Sequence, residues 1–188
     1  MKIKMTLLSD TIFGNGNSIP GGEDISVLCD DAGFPYMKGS TFKGIFREEL
    51  INYLVWEGKN EVEIREEAGR LLGESGDHDL MMDSRIRFSD FHISNHVKQE
   101  ILREKEKNNF SILPVFSFLR TFTALDETGL VDTGSLRYAR CLMKGLVFYG
   151  EIFCQEKDTA LVQEVLGLMK YVVTMRNRGF GAISLEEI

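Results

Sequence analysis

Cysteine is scarce in this sequence, and that scarcity narrows the class of protein. The three cysteines, Cys29, Cys141 and Cys154, are odd in number and far apart. They provide neither an even disulfide framework nor the CxxC spacing of a zinc site, so we expect a reducing cytoplasm. No apolar run in the sequence is long enough to span a bilayer, and the first residues lack the layout of a signal peptide. We therefore expect a cytoplasmic protein without a membrane partner.

Basic residues are outnumbered as well. The chain has 22 lysines and arginines against 29 aspartates and glutamates, a formal net charge of −7. Because nucleic-acid affinity rests on cations that neutralise phosphates, this balance disfavours a generic nucleic-acid binder. The average conceals basic segments with few acidic neighbours, at Lys38, Lys43 and Arg47, at Arg85 and Arg87, at Arg137, Arg140 and Lys144, and at Arg176 and Arg178. An acidic protein carries a basic groove if such segments converge in the fold.

Several strong enzyme motifs are missing too. The sequence has no GxSxG elbow, and GSTFKG at residues 39–44 lacks the GxxxxGK[ST] spacing of a P-loop. His92 and His96 are four residues apart, but no HExxH pattern surrounds them. These absences disfavour an α/β-hydrolase, a P-loop nucleotidase and a zinc hydrolase.

The hydrophobic pattern that is present predicts an α+β fold. Alternation over residues 2–8 predicts a half-buried strand, and Phe42, Phe46 and Leu50 recur at the spacing of a helix over about residues 41–56. Ser40 or Thr41 is the predicted N-cap of that helix. Further strands or extended segments are predicted at about 25–29, 34–37, 83–91, 145–153 and 180–185, further helices at about 60–72, 96–108 and 158–173, and a long β-hairpin at about 120–140.

This order of elements fits a ferredoxin-like, RRM-like βαββαβ core, in which two main helices back an antiparallel sheet. An insertion at about residues 57–83 and the hairpin region at about 110–140 would embellish the core. One domain over residues 1–188 is sufficient.

The start of the predicted helix at residues 41–56 favours an anion. Gly39 and Gly44 flank Ser40, Thr41 and Lys43, and a helix start presents backbone N–H groups and the positive end of the helix dipole. Both features suit a phosphate group.

Three carboxylates precede this helix start. Asp24, Asp30 and Asp31 lie on a glycine-flanked loop and a turn, where a carboxylate beside a phosphodiester could hold Mg²⁺ or orient a nucleophile. The alternative is that Asp-Asp-Ala-Gly is simply a favourable turn sequence.

Two further segments carry paired arginines. The strand pattern at residues 83–91 places Arg85 and Arg87 on one face, where they could contact backbone phosphates or simply be solvated. The loop RNRGFG at residues 176–181 combines two guanidinium groups with glycines that allow close approach to a ligand. A cationic helix C-terminus with a glycine cap explains that loop equally well.

Four segments, taken in order, resemble the RAMP superfamily, the repeat-associated RNA-binding proteins of type III CRISPR effector complexes. The first is GFPYMKGSTFKGIFR at residues 33–47, which matches the pattern GxPYxxGSxxKGxxR. RIRFSDF at 85–91 is similar to the family's strand after its helical insertion, and DETGLVDTGSL at 126–136 is similar to its Asp-x-x-Thr-Gly hairpin. RNRGFG at 176–181 resembles its C-terminal glycine-rich loop.

The resemblance implies a ferredoxin-like palm that cradles the guide RNA (crRNA), with a projecting hairpin, the thumb, that interrupts the guide–target duplex. The guide contacts carried over from it are Ser40, Thr41, Lys43, Arg47, Gly179 and Gly181, with Arg176 and Arg178 as neighbours. The basic residues Arg85, Arg87 and Arg137 complete the predicted RNA-binding set.

The resemblance also implies a catalytic residue. In family members that cut target RNA, an aspartate stands six residues before the acidic residue that opens the turn, and Asp24 stands six before Asp30. Asp24 is then the residue that works with Mg²⁺ or another divalent cation on the ribose 2′-hydroxyl and the scissile phosphate, and Asp30 is structural.

The leading interpretation is a crRNA-binding backbone subunit of a type III CRISPR effector complex that also cleaves target RNA. Its expected partners are the guide, the complementary target RNA, other effector subunits and further copies of the chain, arranged head to tail. The alternatives are a non-catalytic RNA-binding scaffold or capping subunit, a guide-processing endoribonuclease and a ferredoxin-like protein-interaction domain. The endoribonuclease that processes guides is disfavoured because such enzymes usually use histidine, and His78, His92 and His96 all lie away from the glycine-rich elements in the sequence.

Overall fold

An antiparallel sheet with helices packed on one face forms the centre of the molecule. The computed structural model describes residues 1–14, 16, 22–73, 85–124, 128–130, 132, 134–172 and 178–188. Within those ranges the strands are β1 Lys2–Leu7, β2 Tyr36–Met37, β3 Arg87–Phe88, β4 Phe91–His92, β5 Ser117–Phe122, β6 Arg137–Leu142, β7 Val147–Phe153 and β8 Ile183–Glu187. The α-helices are α1 Gly39–Trp56, α2 Glu61–Leu72, α3 Asn95–Asn108, α4 Leu113–Phe116 and α5 Thr159–Leu168, with a 3₁₀ turn at Glu156–Asp158.

The order of the main sheet is β2-β4-β7-β1-β8, and β3 also pairs with β7. The pairings of β1 with β7 and β8, and of β7 with β3 and β4, are all antiparallel. This connectivity is consistent with the ferredoxin-like arrangement, since the last strand lies beside the first and the central strand β7 separates β1 from β3 and β4. The α+β class predicted from the sequence is confirmed. Among the described helices, none is long and apolar enough to cross a bilayer.

Strand β1 shows why the sheet has one buried face. Ile3, Met5 and Leu7 are each at most 1% exposed, whereas Lys2 and Lys4 point to the other face. On that second face Lys4 pairs with Glu186 of β8, with 3.0 Å between Nζ and Oε2. The alternation read from the sequence therefore separates a core face from a solvent face, as it does in half-buried strands generally.

Helix α1 covers the buried face of the sheet. Phe42, Phe46 and Leu50 are fully buried, which confirms the predicted apolar stripe. The hydroxyl of Tyr53 on the same helix donates to Glu164 of α5 at 2.5 Å, so the two main helices are joined at their surface as well as through the core.

Helix α2 lies within the predicted insertion, and its N-terminus is capped by its own sequence. The Asn60 side chain accepts from the backbone N–H groups of Val62 and Glu63, and the Glu63 side chain accepts from the Asn60 N–H in return. This capping box satisfies donors that a helix start leaves open. Arg70 then ties α2 to the sequence before α5 through Asp158, at 2.9 Å.

A separate two-stranded sheet forms the predicted hairpin. Strands β5 and β6 pair in antiparallel register from Ser117 opposite Leu142 to Phe122 opposite Arg137. At its base the hairpin joins the body, because Thr11 bridges to Leu142 and Ile25 bridges to Ala139. Residues 125–127, 131 and 133 near its tip lie outside the described part of the chain.

Three predicted elements are corrected. Residues 25–29 do not form a continuous strand, since Ile25, Val27 and Cys29 bridge to three different segments. The predicted strand at 83–91 is two short strands, β3 and β4, and its residues 83–84 lie outside the described ranges. Helix α5 ends at Leu168 rather than near residue 173, because residues 170–172 pair with residues 181–183 instead.

Glycine is required where the core elements approach most closely. A Cβ built on Gly39 would lie 2.7 Å from the carbonyl oxygen of Ser89 and closer still to that of Phe88. In the middle of β7, a Cβ on Gly150 would lie 2.8 Å from the ring of Phe91. Real Cβ atoms essentially never show such short contacts. Glycine at position 39 therefore allows the close approach of the Phe88–Ser89 backbone, and glycine at position 150 allows that of the Phe91 ring.

Candidate nucleic-acid interface

The start of helix α1 presents Ser40 and Thr41 to solvent, as both residues are exposed. The N-cap prediction was wrong, because the cap is Lys38 and its side chain makes no capping hydrogen bond. Instead, the carboxylate of Asp90, distant in the sequence, accepts a hydrogen bond from the first N–H of the helix: Gly39 N–H donates to its Oδ1 at 2.8 Å. One donor of the expected anion site is therefore satisfied by the protein, which leaves the hydroxyls and N–H groups of Ser40 and Thr41 as the groups for a ligand.

Arg47 and Arg85, two predicted RNA contacts, meet at the C-terminal end of α2. The Nη2 of Arg47 donates to the carbonyl oxygen of Gly73 at 2.6 Å. The guanidinium of Arg85 lies against the same glycine, since a Cβ on Gly73 would come within 2.8 Å of its Nη1. Cations are favourable at a helix C-terminus, where carbonyl groups lack intrahelical partners. Both arginines thus have a contact that stabilises the fold independently of RNA.

Lys43 and Arg87 lie on other surfaces. Lys43 is half-buried on α1, two residues after Thr41. Arg87 is exposed on the sheet face away from the helices, where its guanidinium lies 5.7 Å from the ring centroid of Phe153.

The Arg–Phe cluster, defined here as Arg120, Phe122, Arg178 and Phe180, joins the hairpin to the C-terminal glycine-rich segment. The guanidinium of Arg120 lies 4.9 Å from the ring centroid of Phe180 and 5.8 Å from that of Phe122. Arg178 lies 5.8 Å from the Phe122 centroid, and the two rings are 5.7 Å apart. Each ring therefore orients a guanidinium whose edge N–H groups can still grip a phosphate.

An open cleft of about 360 Å³ lies beside this cluster. Phe122, Arg137 and Arg178 line it, together with Ser135 and a single carboxylate among the described lining residues, Asp132. The cleft brings together predicted contacts from two distant parts of the sequence. Its combination of guanidinium groups with an accessible ring suits the sugar–phosphate backbone of a single strand, whose bases stack on aromatic side chains.

The two predicted glycines of this segment have different environments. Gly179 has φ of 78°, and a Cβ there would meet nothing within 4 Å, so its main chain is open to a ligand. Gly181 is held by the protein, because its N–H donates to the Asp10 carbonyl and its own carbonyl accepts from Val172. Arg176 falls outside the described residues.

Asp24 lies beside the hairpin rather than beside the start of α1. Its Oδ2 accepts a 2.7 Å hydrogen bond from the backbone N–H of Tyr138, the neighbour of Arg137 in β6. The adjacent Glu23 accepts from Nε of Arg140 at 2.6 Å. Asp24 itself is exposed, and its partner Tyr138 is adjacent in the sequence to Arg137, which lines the cleft.

Asp30 has a structural environment. Its Oδ1 accepts from the N–H groups of Ala32 and Phe34, and its Oδ2 pairs with Nζ of Lys98 at 2.6 Å. Burial alone would raise the pKa of Asp30, but the hydrogen bonds from Lys98 and Phe34 outweigh it, and the pKa lies below its ordinary value. The Asp30 carboxylate thus stabilises the turn that follows it, by accepting hydrogen bonds from the backbone of Ala32 and Phe34.

A divalent cation would find few protein ligands here. The described residues contain no group of three or more histidines, cysteines or carboxylates placed to hold a metal ion. Mg²⁺ commonly binds through one or two carboxylates and completes its octahedron with water and substrate phosphates. Asp24 fits the role of that single carboxylate, with RNA supplying the other oxygens.

Comparison with known proteins places these features in a family. The model of the RAMP superfamily matches residues 4–184, which is nearly the whole chain. The chain belongs to the RAMP superfamily. No curated protein sequence matches it.

Solved structures that resemble this RAMP protein include one chain from the cryo-EM structure of a type III-B Cmr-beta complex bound to cognate target RNA. The TM-score is 0.66 at 13% identity, and the match covers 98% of this chain and 95% of the other. A chain from the apo state of Cmr-beta matches with a TM-score of 0.65 at 12% identity, again over 98% and 95%. At this identity the likeness concerns the fold.

Arg120 and the two rings of the cluster are not among the residues that the sequence predicts as contacts of this RAMP protein. A signal is nevertheless present, because Arg120-Thr-Phe122 and Arg178-Gly-Phe180 share an Arg-x-Phe spacing. In the extended strand β5, residues two apart lie on the same face, so Arg120 and Phe122 are presented together, whereas the second segment turns at Gly179, where φ is 78°. What the spacing could not reveal is that the two segments face each other.

Proposed function

We propose that this RAMP protein is a crRNA-binding backbone subunit of a type III CRISPR effector complex, with residues 1–188 acting as one domain. The observation that carries the proposal is the Arg–Phe cluster and its cleft: the hairpin and the glycine-rich segment bring Arg137 and Arg178 to one cleft, and Arg120 lies over the Phe180 ring of the cluster beside it. Family membership and the fold likeness to type III-B Cmr chains support it.

The guide backbone is assigned to two surfaces. The exposed start of α1 supplies Ser40 and Thr41, and the cluster with Gly179 supplies guanidinium groups and an open main chain. Arginine favours this task because its planar fork binds phosphate oxygens in pairs. The hairpin beside the cluster takes the role of the thumb. Complementary target RNA, other effector subunits and further copies of the chain in head-to-tail order are the proposed partners.

Target cleavage is assigned to Asp24. A bound divalent cation would polarise the scissile phosphate and stabilise the charge that develops there. Asp24 would accept the proton of the ribose 2′-hydroxyl while its oxygen attacks the adjacent phosphorus and the bond to the 5′-oxygen breaks. The products are a 2′,3′-cyclic phosphate and, after protonation by water, a 5′-hydroxyl. The hydrogen bond from Tyr138 to Oδ2 fixes the orientation of this carboxylate.

A non-catalytic scaffold or capping subunit is the second candidate. The observation that favours it is the lack of any three-ligand metal cluster among the described residues. This candidate keeps the RNA surfaces and dispenses with the role of Asp24.

One experiment separates the two candidates. The effector complex is assembled with wild-type chain or with Asp24→Asn, and labelled complementary RNA is added with Mg²⁺. Cutting by the wild type that falls by at least about 100-fold in Asp24→Asn, the scale expected for loss of acid–base catalysis, supports the assignment. Cutting that persists in the variant refutes Asp24, and binding without any cutting by the wild type supports the scaffold.

A further inference from the structure

The outer face of the main sheet, defined here as the face turned away from α1, carries a row of side chains that crosses all five strands of the order β2-β4-β7-β1-β8. Tyr36 of β2 is opposite His92 of β4, and His92 is opposite Tyr149 of β7. Tyr149 is opposite Lys4 of β1, which is opposite Glu186 of β8. Because side chains that are opposite each other in register point to the same face, three rings and one ion pair form a continuous row there.

Tyr149 offers the accessible ring of this row. It is 37% exposed, whereas Tyr36 and His92 are half-buried and stack on each other, with ring centroids 5.1 Å apart. The neighbours of Tyr149 in β7, Phe148 and Gly150, are buried, so the Tyr149 side chain points away from the core. No ring of the described residues stacks on it.

An open cleft of about 670 Å³ lies over this part of the row. His92 and Tyr149 line it, together with Lys2 and Glu151 from the same two central strands and Asn95 at the start of α3. Small-molecule sites in proteins have volumes of about 300–1,000 Å³, so the cleft has the size of a ligand site. Burial lowers the pKa of His92, and its ring is therefore uncharged at neutral pH.

Lys2 and Glu151 give the cleft one group of each charge. They are opposite each other in the pairing of β1 with β7, yet within the described ranges neither side chain has an ion-pair or hydrogen-bond partner. A nucleotide complements both groups and the ring at once, since it joins an anionic phosphate to a flat base that carries N–H donors. A basic side chain of a protein partner would suit Glu151 but would be repelled by Lys2.

The cleft adjoins the start of α1, where the guide backbone is assigned. Asp90 lines the cleft, and its Oδ1 accepts from the N–H of Gly39, the residue before Ser40. One side chain thus connects the two surfaces, so neighbouring nucleotides of one strand can contact both.

We propose that the outer face of the sheet holds one unstacked base of the bound single-stranded RNA on the ring of Tyr149, with the phosphate of that nucleotide at Lys2. The inference rests on the proposed RNA-binding function and adds to it a base-binding site separate from the Arg–Phe cluster. Exposed rings on the open face of an RRM-like sheet hold bases in this way, and such stacking is independent of sequence because every base has a π-face.

The test compares a short single-stranded RNA with a series in which each position in turn is made abasic. The wild-type chain should lose about tenfold in affinity when the base that stacks on Tyr149 is missing. Tyr149→Leu should bind the intact RNA about tenfold more weakly and lose the penalty at that position, whereas Tyr149→Phe should keep both, since the ring and not the hydroxyl is required. Trp56→Leu is the control, because Trp56 is a 70% exposed ring at the end of α1 that does not line the cleft, and it should keep the penalty.

Lys2→Gln covers the case that Tyr149→Leu fails to fold, as judged by its urea unfolding. Removal of this exposed ammonium group should reduce the slope of log affinity against log salt by about 0.7, because one phosphate is no longer neutralised. An unchanged slope overturns the site. So does Tyr149→Leu that retains every abasic penalty of the wild type, or that weakens self-association and leaves RNA binding unchanged, because the face then binds another copy of the chain.

Failure of the proposed function has a different outcome. A wild-type chain that binds none of the RNAs, alone or in the assembled complex, contradicts RNA binding altogether. RNA binding that falls in Arg120→Gln with Arg178→Gln but not in Tyr149→Leu contradicts the site on the sheet alone.

Discussion

Asp24 and Tyr138 are hydrogen-bonded to each other twice. The N–H of Tyr138 donates to Oδ2 of Asp24 at 2.7 Å, and the N–H of Asp24 donates to the carbonyl oxygen of Tyr138 at 2.8 Å. The first bond uses a side chain and the second only the main chain. The position of Asp24 is thus fixed by the backbone, and its carboxylate is fixed by one further bond.

This relationship predicts that stability and cleavage respond differently to substitution. Asp24→Asn keeps a side-chain oxygen for the Tyr138 N–H, so its free energy of unfolding should stay close to that of the wild type. Asp24→Ala should lose about 1 kcal/mol, the usual net value of one hydrogen bond. Urea unfolding measures both, and equal stabilities for the two variants would contradict the bond. RNA cleavage should be lost in both.

The Arg–Phe cluster predicts a salt-sensitive share of RNA affinity. Arg120→Gln with Arg178→Gln removes two cations that the rings hold in place, and the affinity for single-stranded RNA should fall at least about tenfold. The slope of log affinity against log salt should shrink by about 0.7 for each phosphate that the variant no longer neutralises. Fluorescence anisotropy at several salt concentrations measures both quantities.

Arg103→Gln with Lys107→Gln is the matched control for that pair. It changes the net charge equally, but both residues are exposed on α3 and paired with glutamates of the same helix. Its RNA affinity should match that of the wild type. An equal decrease in both double variants would mean that overall charge, and not the cluster, controls binding.

Two glycines of helix α1 should respond in opposite directions to the same substitution. Gly39→Ala places a methyl group against the carbonyl oxygens of Phe88 and Ser89, and should destabilise the fold by about 1–3 kcal/mol. A Cβ on Gly44 would meet nothing within 4 Å, so Gly44→Ala should stabilise the helix by about 0.5–1 kcal/mol. Denaturant unfolding measures the free energy of unfolding of both variants. A stabilising effect of Gly39→Ala would refute the close approach of Gly39 to the carbonyl groups of Phe88 and Ser89.

The ion pair of Asp30 with Lys98 predicts a pH dependence in the acid range. Because the folded-state pKa of Asp30 is lowered from 3.8, the folded chain binds this proton less readily than the unfolded chain. The stabilising contribution is therefore complete above about pH 4 and is lost as the pH falls through 3.8 towards the folded pKa. Lys98→Met should lower stability near pH 7 and flatten this dependence.

Urea midpoints measured from neutral to acid pH provide the readout. Lys107→Met, which removes an exposed pair with Glu104 on the same helix, should leave the acid dependence almost unchanged. A wild-type profile that is as flat as that of Lys98→Met would show that the pair contributes nothing to folding.

Local patterns are sufficient to predict much of the fold. The alternation of β1 and the helical spacing of Phe42, Phe46 and Leu50 follow from which side chains must be buried, and the structure confirms both. Helix α2 begins within one residue of its prediction because Asn60 and Glu63 cap it locally. These are cases in which neighbouring residues in the sequence decide the structure.

The predictions are wrong or incomplete where the local structure depends on a residue that is distant in the sequence. The predicted start of α1 is two residues late, because the side chain that accepts from the first N–H of the helix is Asp90 and not a nearby hydroxyl. The contact of Arg47 with Gly73 and the facing Arg-x-Phe segments likewise depend on tertiary packing. Sequence analysis predicted Arg137 and Arg178 of the candidate site, but not Arg120 or the two rings, and not which of these residues meet.

Gly150 lies far from the start of α1 in the sequence, yet it underlies that proposed RNA contact. Its missing side chain lets Phe91 sit on β7, and the residue before Phe91 is Asp90, which holds the N–H of Gly39. A methyl group at Gly150 would push on Phe91 and thereby on the carboxylate that anchors the start of α1. A mutational screen for RNA binding should therefore recover this position among its defective variants, although Gly150 is buried in the core.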